Sequence, residues 1–226
     1  MQHDEQATAK VAFDPLVNVA DPRSRRWVLV FGVVAIALLV IMAVPPLSDA
    51  IKPIDDWFWR LAVDNEYPIL VTSSEVVAEA TGPMAKLILT IIGAVLLAWR
   101  RRWTALALWL SVIALATVVN AAIKIAYDRP RPPMGLAEHF TGSFTSGHAF
   151  TAAVVALLIV LVWVPDGPRR QGMLVVGLIY ALAVAASRVY LRVHWFSDVV
   201  AGLAVGAATG FMLVLLARWW MTRSAG

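Results

Sequence analysis

Residues 103–123 read WTALALWLSVIALATVVNAAI, with no charged side chain from Trp103 to Ile123. At 1.5 Å per residue, a helix of this length covers about 30 Å, the thickness of a bilayer's hydrocarbon core. Backbone N–H and C=O groups in hydrocarbon must be satisfied within their own segment, so the stretch is predicted to be a helix. Five more apolar runs accompany it: Trp27 to Leu47, Gly82 to Trp99, about Ala149 to Val164, Gln171 to Ser187 and Val199 to Ala217. Only Lys86 interrupts the second of these, near one end, where a long side chain can snorkel. None of the runs alternates apolar with polar residues, as strands of a membrane barrel would. The predicted fold class is therefore all-α, a polytopic membrane protein with six transmembrane helices.

Composition agrees with that reading. The chain has 226 residues, 60% hydrophobic and 15% charged, with a mean hydropathy of +0.74. Soluble domains carry about 45–50% apolar and about 25% charged residues. Six spans of about 20 residues use roughly 120 positions, which leaves short loops and no second domain. The expected organisation is a mobile tail over 1–26, a membrane domain over 27–220 and a short tail over 221–226. The first run is not read as a cleavable signal, because a charged tail precedes it and five spans follow. With 0 cysteines, disulfides, thiol catalysis and thiolate metal sites are excluded. A net charge of +4 would suggest nucleic acid in a soluble protein. In a membrane protein the placement of each charge matters more, and no nucleic-acid partner is expected.

Placement gives an orientation. An even number of spans puts both termini on one side, together with the loops at 100–102 and 165–170. That side collects Lys10, Arg23, Arg25, Arg26, the Arg100–Arg102 run, Arg169, Arg170, Arg218 and Arg223. It also holds most of the tryptophan girdle. By the positive-inside rule it is cytoplasmic, which places the opposite face outside an inner membrane. Against that rule, Lys124, Arg129, Arg131, Arg188 and Arg192 sit at the outer ends of the third and fifth spans.

Those residues belong to three blocks that up-down topology returns to one face. The first runs from Lys124 through Tyr127-Asp128-Arg129-Pro130 to Arg131-Pro132, and the second is Phe144-Thr145-Ser146-Gly147-His148. The third runs from Ser187-Arg188 to His194 and Asp198. Their convergence suits phosphoryl transfer, in which negative charge spreads over equatorial oxygens and catalysis rests on positioned positive charge. Arg131 and Arg188 offer planar forks for phosphate, and Lys124 adds a point charge. Ser146 and Gly147 open a helix and offer a hydroxyl and close backbone amides. His194 and Asp198 are four apart, so the carboxylate can orient the imidazole as a nucleophile. His148 is then the acid for the leaving oxygen and the base for water.

Each residue has a plainer reading alone: Ser146 as an N-cap, Asp198 as a helix-dipole charge, Arg188 as an interfacial anchor, each histidine as a surface group. Those readings leave the shared face and the spacing unexplained. An anion transporter would need charges deep in its spans, whereas the third, fifth and sixth are uncharged through their centres. A lipid-binding protein without catalysis sits poorly with His148, His194 and Asp198 together. A phosphotransferase, passing the phosphoryl group to an acceptor other than water, stays open.

The three blocks resemble the signature of the type-2 phosphatidic acid phosphatase superfamily: Lys, six residues, Arg-Pro; Pro-Ser-Gly-His; and Ser-Arg, five residues, His, three residues, Asp. The first and third match at Lys124, Arg131, Pro132, Ser187, Arg188, His194 and Asp198. In the second, Thr145 stands where the family has proline. The resemblance implies His194 as nucleophile, His148 as general acid and Asp198 as the residue orienting His194. It implies Lys124, Arg131, Ser146, Gly147 and Arg188 as the phosphate cradle, with no metal and no cofactor. The implied activity is hydrolysis of a membrane lipid phosphate through a phosphohistidine at the extracytoplasmic interface. A short loop over the site favours undecaprenyl diphosphate, ahead of phosphatidic acid or phosphatidylglycerol phosphate.

Two loops and one stripe complete the reading. In the outer loop 48–81, Ile51, Ile54, Trp57, Phe58 and Leu61 fall at helical spacing, with Asp55, Asp56 and Arg60 off the stripe. This predicts an interfacial helix over about 48–62, either a gate or a cover. The loop from Pro133 to Thr145 carries Glu138 and His139, read either as headgroup or second-phosphate contacts or as solvated residues. Gly202, Gly206 and Gly210 are each four apart, a spacing for close helix approach inside the bundle or at a dimer face. Oligomeric state is left open.

Overall fold

A computed structural model describes residues 22–137, 141–165 and 167–224, and all regular structure among them is helical. The helices are α1 (Pro22–Ala43), α2 (Pro45–Asp64), α3 (Pro68–Ala80), α4 (Pro83–Trp99), α5 (Trp103–Ala126), α6 (Gly147–Trp163), α7 (Pro168–Tyr190) and α8 (Phe196–Ser224). Proline opens five of them, at Pro22, Pro45, Pro68, Pro83 and Pro168. There its ring presets a helical φ, and its missing N–H is one that no intrahelical acceptor could have reached. The segment 1–21 and the pair Glu138 and His139 lie outside the described residues.

Among the described residues, three helices are long and apolar enough to cross a membrane: α5, α7 and the part of α8 from Phe196 to Leu216. The α6 helix is apolar but only 17 residues long. The remaining apolar length is broken into two bent pairs. The run expected as one span from Trp27 to Leu47 stops at Val44, where the chain turns by 102° into α2. The cause is local: Val44 precedes Pro45 and takes an extended conformation (φ −105°, ψ 107°), because a following proline disfavours the helical one. The first helix starts at Pro22, so residues 22–26, expected within the tail, are helical. The segment 48–81, expected to be an outer loop with one helix, holds two. The second, α3, carries Ser, Thr and Glu among its apolar residues and meets α4 at a 44° bend.

The bundle is centred on α6, whose buried side chains include Phe150, Val154, Leu158 and Leu161. It packs chiefly on α7 and α8. The glycine stripe makes the α8 contact possible. A Cβ on Gly202 would lie 2.7 Å from the Ser146 carbonyl oxygen, and one on Gly206 would overlap the Phe150 backbone. This is packing within the bundle, the first of the two readings of the stripe. Large apolar side chains cover the outside, among them Ile69, Ile125 and Ile179, a surface suited to lipid and not to water.

The α2 helix lies against this bundle with its sides distributed differently from the sequence expectation. Ile54, Trp57 and Leu61 face outward, and Asp55 is 1% exposed. Phe58 stacks on Phe196 with ring centroids 3.8 Å apart, and Trp59 Nε1 donates to Pro133 O at 3.0 Å. The link from α2 to α3 clasps the end of α7: Tyr190 donates to Asn65 O, Tyr67 N–H donates to Tyr190, and Arg192 pairs with Glu66 at 2.7 Å.

Candidate active site

The three blocks meet where α5 ends and where α6 and α8 begin. Backbone contacts tie them before any side chain is considered. Ser146 N–H donates to Asp198 O at 3.1 Å, joining the second block to the third. Ser143 N–H donates to Arg129 O at 2.8 Å, and Trp195 Nε1 donates to Pro130 O at 2.9 Å. The described parts of the loop from 127 to 146, among which there is no helix, are thus held against the turn between α7 and α8.

A cavity of about 250 Å³ opens at this junction. Lys124, Arg131, Gly147, His148 and His194 line it, so five of the eight predicted site residues share one space. Asp198, Ser146 and Arg188 are not among its lining residues and are buried, at 0%, 0% and 2% exposure. His194 Nδ1 is 3.5 Å from Asp198 Oδ2, and His194 Nε2 is 3.4 Å from Arg131 Nη1. A guanidinium only donates, so Nε2 beside it is the acceptor nitrogen and Nδ1 carries the proton toward Asp198. That tautomer leaves the Nε2 lone pair available for attack.

Electrostatics favour the same state. Burial pushes His194 down to about 4; Asp198 opposes this by hydrogen bond and charge, and Arg131 and Lys124 add to the lowering. The imidazole is therefore neutral at neutral pH. Burial also lowers Arg131 from its ordinary value, with Asp198 opposing. Arg131 is held rigidly by its own bonds: Nε to Thr141 O at 2.9 Å, Nη1 to Val193 O at 2.5 Å and Nη2 to Gly142 O at 3.3 Å. Lys124 Nζ donates to Gly142 O at 2.9 Å. Arg188 is close enough for the charge of Arg131 to act on it.

Ser146 occupies the N-cap position of α6, yet its hydroxyl caps nothing. It is buried with no hydrogen-bond partner among the described residues, so capping does not account for a serine here. Thr145, in place of the family proline, is fully buried. Its peptide with Phe144 is cis, and its hydroxyl lies 3.5 Å from Asn120 Oδ1. Among the described residues, no group of three or more His, Asp or Glu side chains is placed to hold a metal ion.

Arg192 and Arg129, the other two cations that run against the charge rule, have other partners. Arg192 pairs with Glu66, as described. Arg129 Nη1 donates to Asp198 Oδ1 at 2.6 Å and to Ser197 Oγ at 2.8 Å, and its Nη2 donates to Asp55 Oδ2 at 2.7 Å. Asp55 in turn accepts from Ser197 N–H at 2.8 Å and Ser197 Oγ at 2.7 Å. In the sequence Arg129 stands out only as a cation against the charge rule, and periodicity places Asp55 off the apolar stripe of α2. The one signal for Asp55 was an acid in an apolar interfacial helix. Lys86 and Asn120 also line the cavity, and no motif pointed to either.

A model of the PAP2 superfamily matches residues 104–222, more than half of the chain. The chain is 31% identical over 131 residues to phosphatidylglycerophosphatase B of Bacillus subtilis, covering 56% of this chain and 64% of that protein. It is 36% identical over 72 residues to undecaprenyl-diphosphatase of Sulfolobus acidocaldarius, covering 32% of each. The chain thus spans less than two thirds of either relative. A crystal structure of a transmembrane PAP2-type phosphatidylglycerolphosphate phosphatase from Bacillus subtilis superposes with a TM-score of 0.71 at 24% identity, covering 82% of this chain and 93% of that one. Aquifex aeolicus LpxE superposes with a TM-score of 0.55 at 22% identity, covering 71% and 92%. These two likenesses establish the fold. The chain belongs to the PAP2 superfamily, and its apolar helices make it an integral membrane member.

Proposed function

We propose that the protein is a lipid phosphatase that hydrolyses a phosphate or diphosphate ester of a membrane lipid through a phosphohistidine. The observation that carries this reading is the shared cavity: His194, His148, Lys124 and Arg131 line one space, and Asp198 stands 3.5 Å behind His194. Lys124, Arg131 and Arg188 supply positive charge for the phosphoryl oxygens, with Ser146 and Gly147 at the start of α6. The Nε2 lone pair of His194 attacks phosphorus; the P–N bond forms as the bond to the lipid oxygen breaks, and His148 gives that oxygen its proton. His148 then takes a proton from water, whose oxygen attacks phosphorus. The P–N bond breaks, phosphate leaves, and both histidines return to their starting states.

In this reading the chain makes six passes, counting α3 with α4 as one and α6 as a short pass, while α2 lies across the interface. The basic residues near both termini and in the loops at 100–102 and 165–170 put those parts in the cytoplasm and the cavity outside. The similarity to a phosphatidylglycerophosphatase and an undecaprenyl-diphosphatase supports a lipid phosphate. Undecaprenyl diphosphate is placed first, then phosphatidylglycerol phosphate and phosphatidic acid. The test is phosphate release by detergent-solubilised protein, with EDTA present, across these three lipids. Wild type turns over at least one of them and His194→Ala none; full activity in His194→Ala would sink the histidine mechanism.

A further inference from the structure

Lys86 is the one charged residue of α4, a helix that otherwise reads as uninterrupted apolar and small side chains. Its side chain is half-buried. It has no hydrogen bond or ion pair to its ammonium among the described residues, although Thr90, four positions on, donates to its backbone oxygen. A cation on a membrane helix is costly unless it reaches water, a headgroup or a counter-ion. Lys86 lines the cavity that holds His194, His148, Lys124 and Arg131.

The position within that cavity matters. Lys124, Arg131 and His194 belong to the three blocks, while Lys86 comes from the first turn of α4, next to the bend between α3 and α4 whose Thr81, Gly82 and Pro83 also line the cavity. Irregular backbone at such a bend is tolerated in a membrane where it lines a cavity. The volume of about 250 Å³ equals about eight waters at roughly 30 Å³ each. That is more than one phosphate group with its four oxygens fills. On the phosphatase reading, the motif cations are engaged by the phosphate under attack. Lys86 is then a further point charge from a helix outside the three blocks, in a space with room for a second anionic group.

We propose that Lys86 binds a second phosphate group on the head of the substrate lipid, so that the site selects doubly phosphorylated heads over monophosphates. The inference rests on the phosphatase reading above. The second phosphate has two possible sources. It is anhydride-linked in a polyprenyl diphosphate and glycerol-linked in phosphatidylglycerol phosphate, and phosphatidic acid has none.

The experiment compares wild type with Lys86→Met and Lys86→Arg, as full chains in detergent, on these three lipids. Lys86→Met is expected to lower the selectivity ratio, kcat/KM for a doubly phosphorylated lipid over kcat/KM for phosphatidic acid, by at least tenfold, and Lys86→Arg to recover most of it. The arm in which the ratio falls identifies the source. An unchanged ratio in both arms overturns the proposal, as does an equal loss on all three lipids. A second readout needs no turnover: methylenediphosphonate should bind wild type at least tenfold tighter than methylphosphonate, and Lys86→Met should bring the two within threefold. Absence of turnover with all lipids would refute the phosphatase reading, while the phosphonate comparison would still judge Lys86. Lys86→Gln replaces Lys86→Met if the latter does not fold.

Discussion

Asp55→Asn removes one charge from a chain of contacts that ends on the proposed dyad of Asp198 and His194. Asp55 is 1% exposed and accepts three bonds, from Arg129 Nη2 and from Ser197 N and Oγ, all between 2.7 and 2.8 Å. The other arm of the same guanidinium holds Asp198 Oδ1 at 2.6 Å, and Asp198 faces His194. Asparagine keeps the volume, and its oxygen can still accept from Ser197 N–H. Its amide, however, turns a donor toward the guanidinium. Breaking one side of a buried pair costs about 3–5 kcal/mol. Arg129 keeps Asp198 and is itself 16% exposed, which puts the expected cost at the low end, about 3 kcal/mol.

That cost corresponds to a fall in melting temperature of roughly 6–12 °C for a chain of this size. Asp55 does not line the cavity of His194 and His148, so on the proposed mechanism kcat should drop roughly tenfold with KM within about threefold, the loss of about one charged hydrogen bond's orienting effect. The assays are thermal unfolding in detergent and steady-state phosphate release. A double-mutant cycle with Arg129→Gln separates positioning from general destabilisation, and a coupling of about 2 kcal/mol is expected. Additive effects, or an Asp55→Asn protein with wild-type melting and kcat, would refute the reasoning.

Two further predictions use other parts of the site. His194, held at about 4 by burial, should stay neutral from pH 7 down to 5; imidazole ¹⁵N shifts of labelled protein check this, and a midpoint near 6.5 contradicts it. The sign for stability follows: between about 6.5 and 4 the unfolded chain binds the proton that the folded one refuses, so this contribution is present above pH 6.5 and is lost as pH falls through that window. Gly202→Ala places a methyl group 2.7 Å from Ser146 O and should cost about 1–3 kcal/mol and reduce kcat by displacing the second block. Gly172→Ala, with nothing within 4 Å of the added carbon, should be neutral or stabilise by about 0.5–1 kcal/mol. Melting curves of the pair decide whether close approach, and not helix propensity, governs these positions.

Much of the molecule was legible in the chain because its signals are local. The apolar runs predict helices, since hydrocarbon leaves the backbone no partner but itself. The spacing of Lys124 to Arg131 and of His194 to Asp198 is carried by single segments, so those pairs could be read without the fold. Expectations failed where a short-range rule was overlooked. Pro45 ended the first helix at Val44 and bent the chain by 102°, and α3 was hidden because its Ser, Thr and Glu residues break the apolar pattern. Asp55 was read by periodicity as an outward-facing acid of an amphipathic helix. Its burial follows from a guanidinium 74 positions away in sequence, which no pattern within α2 encodes.

By itself, the amino-acid order determined the apolar segments that must become helices, the side on which most basic residues gather, and the three blocks bearing the reactive groups. Each of these depends on neighbours within one segment or on charge relative to a membrane. The tertiary structure decided how the cations around the three blocks divide. Lys124 and Arg131 face the cavity, Arg129 bridges Asp55 to Asp198, and Arg192 is paired with Glu66. It also brought Lys86, read along the chain as a snorkelling lysine, to the cavity of the two histidines. A charge acquires its role from the groups within a few ångströms of it, and in this bundle those groups come from helices far apart in sequence.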